Sequence, residues 1–493
     1  MKSVMNDGNE KYRELRERYP EFVYKAYHHE VTEEGLKVWF DFKMGDVEFH
    51  PTALVERRPF LDFDKEIDWI VFNIGMVELV SYWKCACPPT VRVLCGTLTE
   101  DQTAFWKKLY WNGLGEFYYT NGIEETQDAF MEVESGCLAP KETWPATAVE
   151  QKQKVELFTE AEDKFNFQFS TFNSYLVPVG GGKDSVVTLE LLRRAGKTIR
   201  PLIMNPRGAT VECAAKAGFA MDEVLVIRRT IDKTLLDLNA KGYLNGHTPF
   251  SAMLAFYTML ASAVSGIPNV ALSNENSANE STVVGSYVNH QYSKSLEFED
   301  DFREYCVNAL LCNCSSIDAS VTNTLTHSHI NAFNYFSFLR PLSELQIAML
   351  FSRFTAYHDV FRSCNVGSKE DIWCGHCAKC LFAYIILSPF ITPTRLNQIF
   401  GKSMLDDTTL ELEFRQLIGE ADTKPFECVG TVSEVRQALN MTLKRWYPDS
   451  RPALLKDFRD TKDYKDLNVL LPMGNLTEEE RQILQAACTE KSN

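Results

Sequence analysis

No stretch of this chain is apolar for long enough to cross a membrane as a helix. The longest, Ala252 to Ile267, contains Ser262 and Ser265 and falls short of the ~20 residues a bilayer requires, so it is read as a buried helix. An export signal is also missing: Asn6, Asp7, Glu10, Lys11, Arg13 and Glu14 stand where an apolar segment would be, and the composition is not that of an arginine-rich transit peptide. A cytoplasmic protein is the expectation, with no membrane partner. Positive charge is scarce. Lysine and arginine number 51 against 67 aspartates and glutamates, a formal charge of −16. Proteins that grip DNA or tRNA need a basic surface to displace condensed counterions, so nucleic acid is not an expected partner. That total still permits a local basic pocket for a small anion. No internal repeat or low-complexity tract interrupts the chain, and with Lys2 after Met1 a fused glutaminase half with an N-terminal cysteine nucleophile is not expected. His28-His29 and the pair His327 and His329 have no partners at a recognised ligand spacing, and are assigned to the surface or to helix ends.

What the chain does have is 493 residues, 45% of them hydrophobic, which suffices for two or three domains with cores of their own. Its most informative stretch is Tyr175 to Gly196. Tyr175 to Val179 is a short β-favouring run, and Val186, Leu189, Leu192 and Ala195 then recur at helical spacing, with Gly196 placed to end the helix. Between strand and helix stand Gly180, Gly181, Gly182, Lys183, Asp184 and Ser185. Consecutive glycines let backbone amides approach an anion, and the first helical turn directs its partial positive charge to the same place. Phosphate or pyrophosphate suits such a turn, with Lys183 as a cation, Asp184 as a carboxylate for Mg²⁺ or for orienting the turn, and Ser185 as a hydroxyl. A ligand-free βα turn needs fewer of these features. Neither the P-loop nor the dinucleotide-binding glycine spacing is present here.

Further strands are expected at Ile199 to Met204, Glu223 to Ile227 and Asn269 to Leu272, alternating with helices at Ala209 to Gly218 and Phe250 to Gly266. Alternation of this kind implies an α/β fold, a parallel sheet with helices on both faces, whose ligands sit beyond the carboxyl ends of the strands. That rule gathers three polar turns: Gly180 to Ser185, Asn205 to Arg207, and Ser273 to Glu275. Arg207 is a candidate for phosphate, Glu275 or Glu280 for Mg²⁺ or the adenosine ribose, and Asn274 for cofactor binding in the same turn, though each taken singly is equally a solvated loop residue.

Before this region, a helix-prone start up to Pro20, an alternating hairpin from Leu36 to Phe49, and helices at Ile67 to Trp83 and Thr99 to Asn112 indicate a mixed α/β amino-terminal domain, residues 1–160. Ser81, Tyr82 and Lys84 could line a site, but a helix end with a solvated lysine explains them as well. A charged segment from Thr143 to Thr171 reads as an exposed helix spanning a boundary near Ala161. The central domain takes residues 161–395, and a mostly helical region 396–493. Ser343 with Gln346 forms a capping box for a helix through Phe351 and Phe354. Fourteen cysteines without an export signal are expected as reduced thiols. Cys364, Cys374, Cys377 and Cys380 have a spacing that suits four-thiolate coordination of a structural Zn²⁺, with His376 as a spare ligand and plain reduced thiols as the alternative. A glycine-containing turn from Lys424 to Thr431 sets Glu427 beside Cys428, either facing a site or joining domains.

The turn Gly180–Ser185 resembles the PP-loop of the ATP pyrophosphatase superfamily, with Gly180 where serine is usual. The resemblance implies a Rossmann-like PP-loop domain, cleavage of ATP to AMP and pyrophosphate, and adenylation of an oxygen on the substrate. Further stretches are similar to the MurL family of UDP-muramoyl-dipeptide epimerases: Ser81-Tyr-Trp-Lys84 with Pro88, Gly113 to Tyr119 with Asn121, Ser273 to Asn279, Cys377 to Phe382 with Pro389-Phe390, and Pro425 to Gly430. The four-cysteine layout also resembles that of the PP-loop enzyme that makes the queuosine precursor. The MurL resemblance implies inversion of the terminal L-glutamate of a UDP-linked muramoyl dipeptide, a small-molecule substrate, through an acyl-adenylate. It also implies ATP and Mg²⁺, with Lys183 and Asp184 at the leaving pyrophosphate. Cys428, Glu427 and Lys84 are then the candidates for the base. Two other classes stay open: another PP-loop adenylating enzyme forming an amide, a nitrile or a thiolated small molecule, and a nucleotide-binding protein without catalysis.

Overall fold

A computed structural model describes residues 2–57, 64–136, 173–279, 288–314, 333–421, 423–460, 464 and 466–490. Among these described residues eleven strands form one sheet: β1 (Glu21–Val31), β2 (Leu36–Met44), β3 (Val47–Phe49), β4 (Thr52–Val55), β5 (Thr90–Val93), β6 (Glu132–Ser135), β7 (Ser174–Pro178), β8 (Thr198–Met204), β9 (Leu225–Arg229), β10 (Asn269–Leu272) and β11 (Asn334–Ser337). Their order is β11-β10-β7-β8-β9-β4-β2-β1-β5-β6, with β3 paired to β2. The run from β11 to β9 is parallel throughout. Antiparallel pairing appears where β9 meets β4 and through β4, β2, β1 and β3, and β1, β5 and β6 are again parallel. The fold is thus mixed α/β around a mostly parallel sheet flanked by helices.

The parallel strands bury both faces, as helices on each side require. Leu176, Leu202, Leu225, Ile227, Val270 and Leu272 enter one core, against the helices Asp64–Trp83 and Phe250–Ser265. Tyr175, Val177, Ile203, Val226 and Ala271 enter the other, with the helices Lys183–Arg194, Glu344–Ser352 and Ala378–Leu387. Neighbouring residues alternate between the two cores because successive strand side chains point to opposite faces. The first core also takes in Phe22, Tyr24, Val38, Phe40 and Phe42 from the amino-terminal strands, so sheet and core run continuously between the two regions. An ion pair on a fully buried carboxylate reinforces the join. Arg229 at the end of β9 bonds both carboxylate oxygens of Glu78, and Tyr257 donates to the same carboxylate at 2.9 Å. A buried charge needs such partners to offset its lost hydration.

The local expectations in the central region hold closely. Gly266 ends the helix Phe250–Ser265 in the left-handed conformation, φ +70°, and the Ser343–Gln346 and Thr99–Gln102 capping boxes both form. The helix after Ser343 stops at Ser352, short of Phe354. Strands β1, β4, β5, β6 and β11 were not anticipated; all but β1 are four residues long, too short to establish a period, and β6 reads Glu-Val-Glu-Ser. His28 and His29 lie within β1, each bonded at 2.8 Å to a carboxylate, Asp41 and Asp68, and not at a helix end. The segment 143–171, the boundary near Ala161, Glu280, His327 and His329 lie outside the described residues. Among the described residues, no helix is long and apolar enough to cross a membrane.

Candidate active site

The glycine turn leaves β7 and enters the helix Lys183–Arg194, with Gly182 as a cap residue that supplies no side-chain hydrogen bond. The leading amides of that helix therefore face the turn without a side-chain acceptor. Gly181 has φ +81°, and a Cβ there would stand 2.9 Å from Ala209 Cβ and 3.0 Å from the Ala209 carbonyl carbon. Its carbonyl accepts the Arg362 amide at 2.8 Å, which fastens the turn to the segment leading into the cysteine cluster. A Cβ on Gly180 would meet nothing within 4 Å. The turn is open on its outer side and tightly packed on its inner side.

Lys183 is turned inward. Its ammonium pairs with Asp184 at 2.5 Å and with buried Glu344, and it does not line the cavity described below. Both carboxylates hold it protonated despite burial. Burial together with the charges of Asp184 and Glu275 outweighs Lys183 and pushes Glu344 up to about 8. Glu344 also donates its backbone N–H to Glu434 Oε1 at 2.8 Å. Glu434 closes a capping box with Thr431 at the start of the helix Val432–Trp446, immediately after the turn that carries Cys428. A chain of buried polar contacts thus links the two turns.

The other two polar turns arrive where the topology sends them. Asn205, at φ +52°, exchanges two hydrogen bonds with the Arg229 backbone, 2.8 and 3.1 Å, and pins its turn to β9. Asn274 donates to Ser337 Oγ at 3.0 Å and Ser273 to Thr188 Oγ1 at 2.9 Å. Gly180, Gly182, Asp184, Ser185, Arg207, Ser273 and Asn274 then line a single cavity of about 490 Å³. Glu275 does not; it is buried, accepting from Ser277 Oγ at 3.2 Å, while its carbonyl accepts from Arg340 at 2.7 Å. Four cations, Arg207, Lys294, Arg362 and Lys379, share the cavity wall with two carboxylates, Asp184 and Asp371. Such an excess of positive charge in a low-dielectric cleft focuses potential on an anion, even in a strongly acidic protein.

Cys428 lines the same cavity. Lys294 Nζ lies 3.2 Å from its sulfur, Lys379 donates to its carbonyl, and His290 hydrogen-bonds its thiol. Burial alone would raise this thiol; Lys294, Lys379 and His290 outweigh it and bring Cys428 down to about 5. His290 is in turn bonded through Nδ1 to Glu116, and His247 Nδ1 lies 3.4 Å from the same carboxylate. Burial lowers His290, but Cys428 and Glu116 raise it to about 9, whereas burial and the charges of His290, Lys84 and Lys294 push His247 down to about 3. Lys84 is no solvated helix end: it is buried, and its ammonium is spent on Gly246 O, His247 O at 3.2 Å and Thr248 Oγ1 at 2.5 Å. Neither Lys84 nor Glu427 lines the cavity.

The four cysteines stand beside the cavity, Cys364 alone of them lining it. Sulfur separations are 3.8 Å for Cys364–Cys377, 3.7 Å for Cys374–Cys380 and 3.5 Å for Cys377–Cys380, and all four sulfurs lie within 4.8 Å of one another. Tetrahedral zinc with ~2.3 Å bonds to sulfur spaces its thiolates about 3.8 Å apart, so the donor set fits. Amides of Gly367, His376 and Cys380 point at Cys364, Cys374 and Cys377, at 3.1, 3.5 and 3.4 Å. His376 directs Nδ1 to the Cys374 carbonyl, 3.0 Å, and is not needed as a ligand. Cys364, Arg362 and Lys379 connect this cluster directly to the cavity wall.

Sequence reasoning missed Lys294, His290, Glu116, Arg362, Lys379 and Glu344 as site residues. Lys379 stands between two cysteines of the cluster, Arg362 two residues before Cys364, and Glu116 within the Gly113 to Tyr119 stretch of the family resemblance; the others come from separate segments with no spacing to connect them.

Comparison with known proteins gives a consistent family. Residues 13–315 match the MurL N-terminal domain and residues 360–465 the MurL C-terminal domain. The chain is 35% identical over 377 residues to a UDP-N-acetyl-alpha-D-muramoyl-L-alanyl-L-glutamate epimerase of a Micromonospora strain, covering 75% of this chain and 73% of that one. Proteins of the same description from Salinispora tropica and Xanthomonas oryzae pv. oryzae are 34% and 32% identical, covering 75% and 80% of this chain and 72% and 80% of their own lengths. No solved structure matches the chain.

Proposed function

The chain belongs to the MurL family of UDP-N-acetyl-alpha-D-muramoyl-L-alanyl-L-glutamate epimerases, and from that premise we propose that it inverts the α-carbon of the terminal L-glutamate of UDP-MurNAc-L-Ala-L-Glu in peptidoglycan precursor synthesis. The glutamate carboxylate is first adenylated by ATP, and AMP and pyrophosphate are released. One observation carries this reading: the glycine turn, the Arg207 turn and the Asn274 turn, at the carboxyl ends of β7, β8 and β10, line the same cation-rich cavity as Cys428. An ATP pyrophosphatase fold of the PP-loop type accounts for that placement.

The chemistry follows from charge. An ionised carboxylate holds its α-hydrogen firmly, because removing the proton would build a second negative charge beside the first. Attaching AMP neutralises the carboxylate and makes its carbonyl an electron sink, so a side-chain base can remove the proton. The open outer side of Gly180 and the uncapped amides after Gly182 suit the phosphate chain. Arg207, Lys294, Arg362 and Lys379 are placed to offset its charge, while Lys183 acts from beneath, pairing with Asp184 at the cavity wall. Asp184 would hold Mg²⁺, which supplies charge neutralisation at the departing pyrophosphate. A structural Zn²⁺ on Cys364, Cys374, Cys377 and Cys380 would fix the Arg362–Lys379 wall.

The test is incubation with ATP, Mg²⁺ and UDP-MurNAc-L-Ala-L-Glu in D₂O. Deuterium at the glutamate α-carbon, with one AMP formed per inversion, is the expected result. AMP without deuterium would overturn the epimerase reading, and deuterium uptake without ATP would overturn adenylation.

A further inference from the structure

We propose that Cys428 is the base that takes the α-proton of the activated glutamate, and that His290 and Glu116 stand behind it as positioning residues that keep its sulfur anionic. The inference rests on the adenylating-epimerase reading and assigns a residue that reading leaves open.

Three groups from the sequence compete for the role, and geometry separates them. Lys84 has all three ammonium protons directed at acceptors, and neither it nor Glu427 reaches the cavity wall. Cys428 does reach it, in the same cavity as a glycine turn suited to hold the nucleotide. Its sulfur is the centre of a layered arrangement. Lys294 stands beside it at 3.2 Å, His290 hydrogen-bonds it, and Glu116 bonds the same imidazole ring through Nδ1. His290 and Glu116 do not line the cavity, so they act through the sulfur and not on substrate. The groups come from widely separated elements: Glu116 from the helix Gly115–Thr120, Lys294 from the turn Tyr292–Lys294, and Cys428 from the turn before Val432.

The charges around the sulfur favour the thiolate. Lys294 and Lys379 face it as cations and His290 as an imidazolium. Around His290 stand Glu116 and Cys428, with His247 held neutral by burial and by the charges of His290, Lys84 and Lys294; Lys294 in turn faces Cys428, Glu275 and Asp184. Lys294 is held protonated by these anions and so is not itself the proton acceptor.

In the proposed step the Cα–H bond breaks, its proton forms S–H on Cys428, and the electron pair enters the adjacent carbonyl as an enolate. The Lys294 ammonium beside the sulfur is available to that oxygen. On the opposite face the carbon takes a proton from water, which inverts it, and the thiol returns its proton to solvent. A second water hydrolyses the mixed anhydride to glutamate and AMP, so atoms and charge balance.

The experiment compares wild type, C428A, H290Q and E116Q by ATP-dependent pyrophosphate release and by deuterium incorporation at the α-carbon. C428A is expected to release pyrophosphate on addition of ATP and substrate while losing α-deuterium incorporation by about 100-fold or more, within the range of general-base contributions. Wild-type deuterium uptake in C428A overturns the proposal and leaves adenylation standing; absence of pyrophosphate release by the wild type overturns the underlying reading instead. If C428A does not fold, C428S and peptide-resolved alkylation of the wild-type thiol take its place. Alkylation of Cys428 should titrate with a midpoint near pH 5 in the wild type and shift upward by a pH unit or more in H290Q and E116Q, together with the acidic limb of the deuterium-exchange profile. An unshifted limb would remove His290 and Glu116 from the role. A substrate-mass adduct on Cys428 would replace the base by a nucleophile, and a stoichiometric second metal lost in E116Q would replace proton transfer by metal binding.

Discussion

Replacing Gly181 with alanine tests whether the phosphate-binding turn depends on its backbone as argued. At φ +81° an alanine pays the left-handed cost of roughly 1–2 kcal/mol. Its Cβ would also stand 2.9 Å from Ala209 Cβ, 3.0 Å from the Ala209 carbonyl carbon and 3.1 Å from the Thr210 amide. Two of those atoms are backbone of the helix Gly208–Lys216, whose start is held by the Arg207 N–H donating to Thr210 Oγ1 and that hydroxyl donating to the Arg207 carbonyl, so little can yield. Overpacking of this sort costs about 1–3 kcal/mol, and the two together give about 2–5 kcal/mol. Any relief would move the Gly181 carbonyl away from the Arg362 amide, and with it a cation of the cavity wall. Gly180→Ala is the control: its Cβ meets nothing within 4 Å, and its cost should stay within about 0.5 kcal/mol. Urea-unfolding midpoints and pyrophosphate release of the two variants are the assay. A Gly181→Ala protein as stable and active as wild type would refute the reasoning, as would equal damage from both substitutions.

Lys183→Met removes the cation shared by Asp184 and Glu344, and since burial already favours a protonated Glu344 the loss should be that of unmade buried hydrogen bonds, about 1–3 kcal/mol; combining it with Glu344→Gln should recover part of that loss in denaturant midpoint, and simple additivity would argue against the pair. Asp184→Asn should abolish AMP release without lowering the thermal midpoint by more than a few degrees, and undiminished turnover would remove Asp184 from the mechanism. Protein purified without chelator should contain about one zinc per chain, and Cys377→Ser should contain none and unfold at lower temperature; wild-type protein free of zinc refutes four-thiolate coordination. Stability should rise with pH between about 5 and 9 where Cys428 is concerned, because its folded thiol binds fewer protons than the unfolded one across that window, the stability being lost as pH falls through 5. Cys428→Ala should flatten that part of the profile, and an unchanged slope would show the thiol to be un-ionised.

The parts of this protein that short-range physics controls were legible from the chain alone. Three glycines between a β-favouring run and a helical repeat can make little else but a strand–turn–helix, and Gly266 and the Ser343–Gln346 box mark their helix ends by local geometry. The order of strand and helix then placed the Arg207 and Asn274 turns at the edge where the glycine turn lies, and the spacing of Cys364, Cys374, Cys377 and Cys380 brought four sulfurs together. Only the folded chain decided the rest. Whether Lys183 faces ligand or core depends on Glu344, 161 residues away, and no local pattern records that distance. The meeting of Glu116, His290, Lys294 and Cys428 depends equally on packing of segments that share no period. Their charges are set by one another and by burial, properties that exist only once water has been excluded from between them.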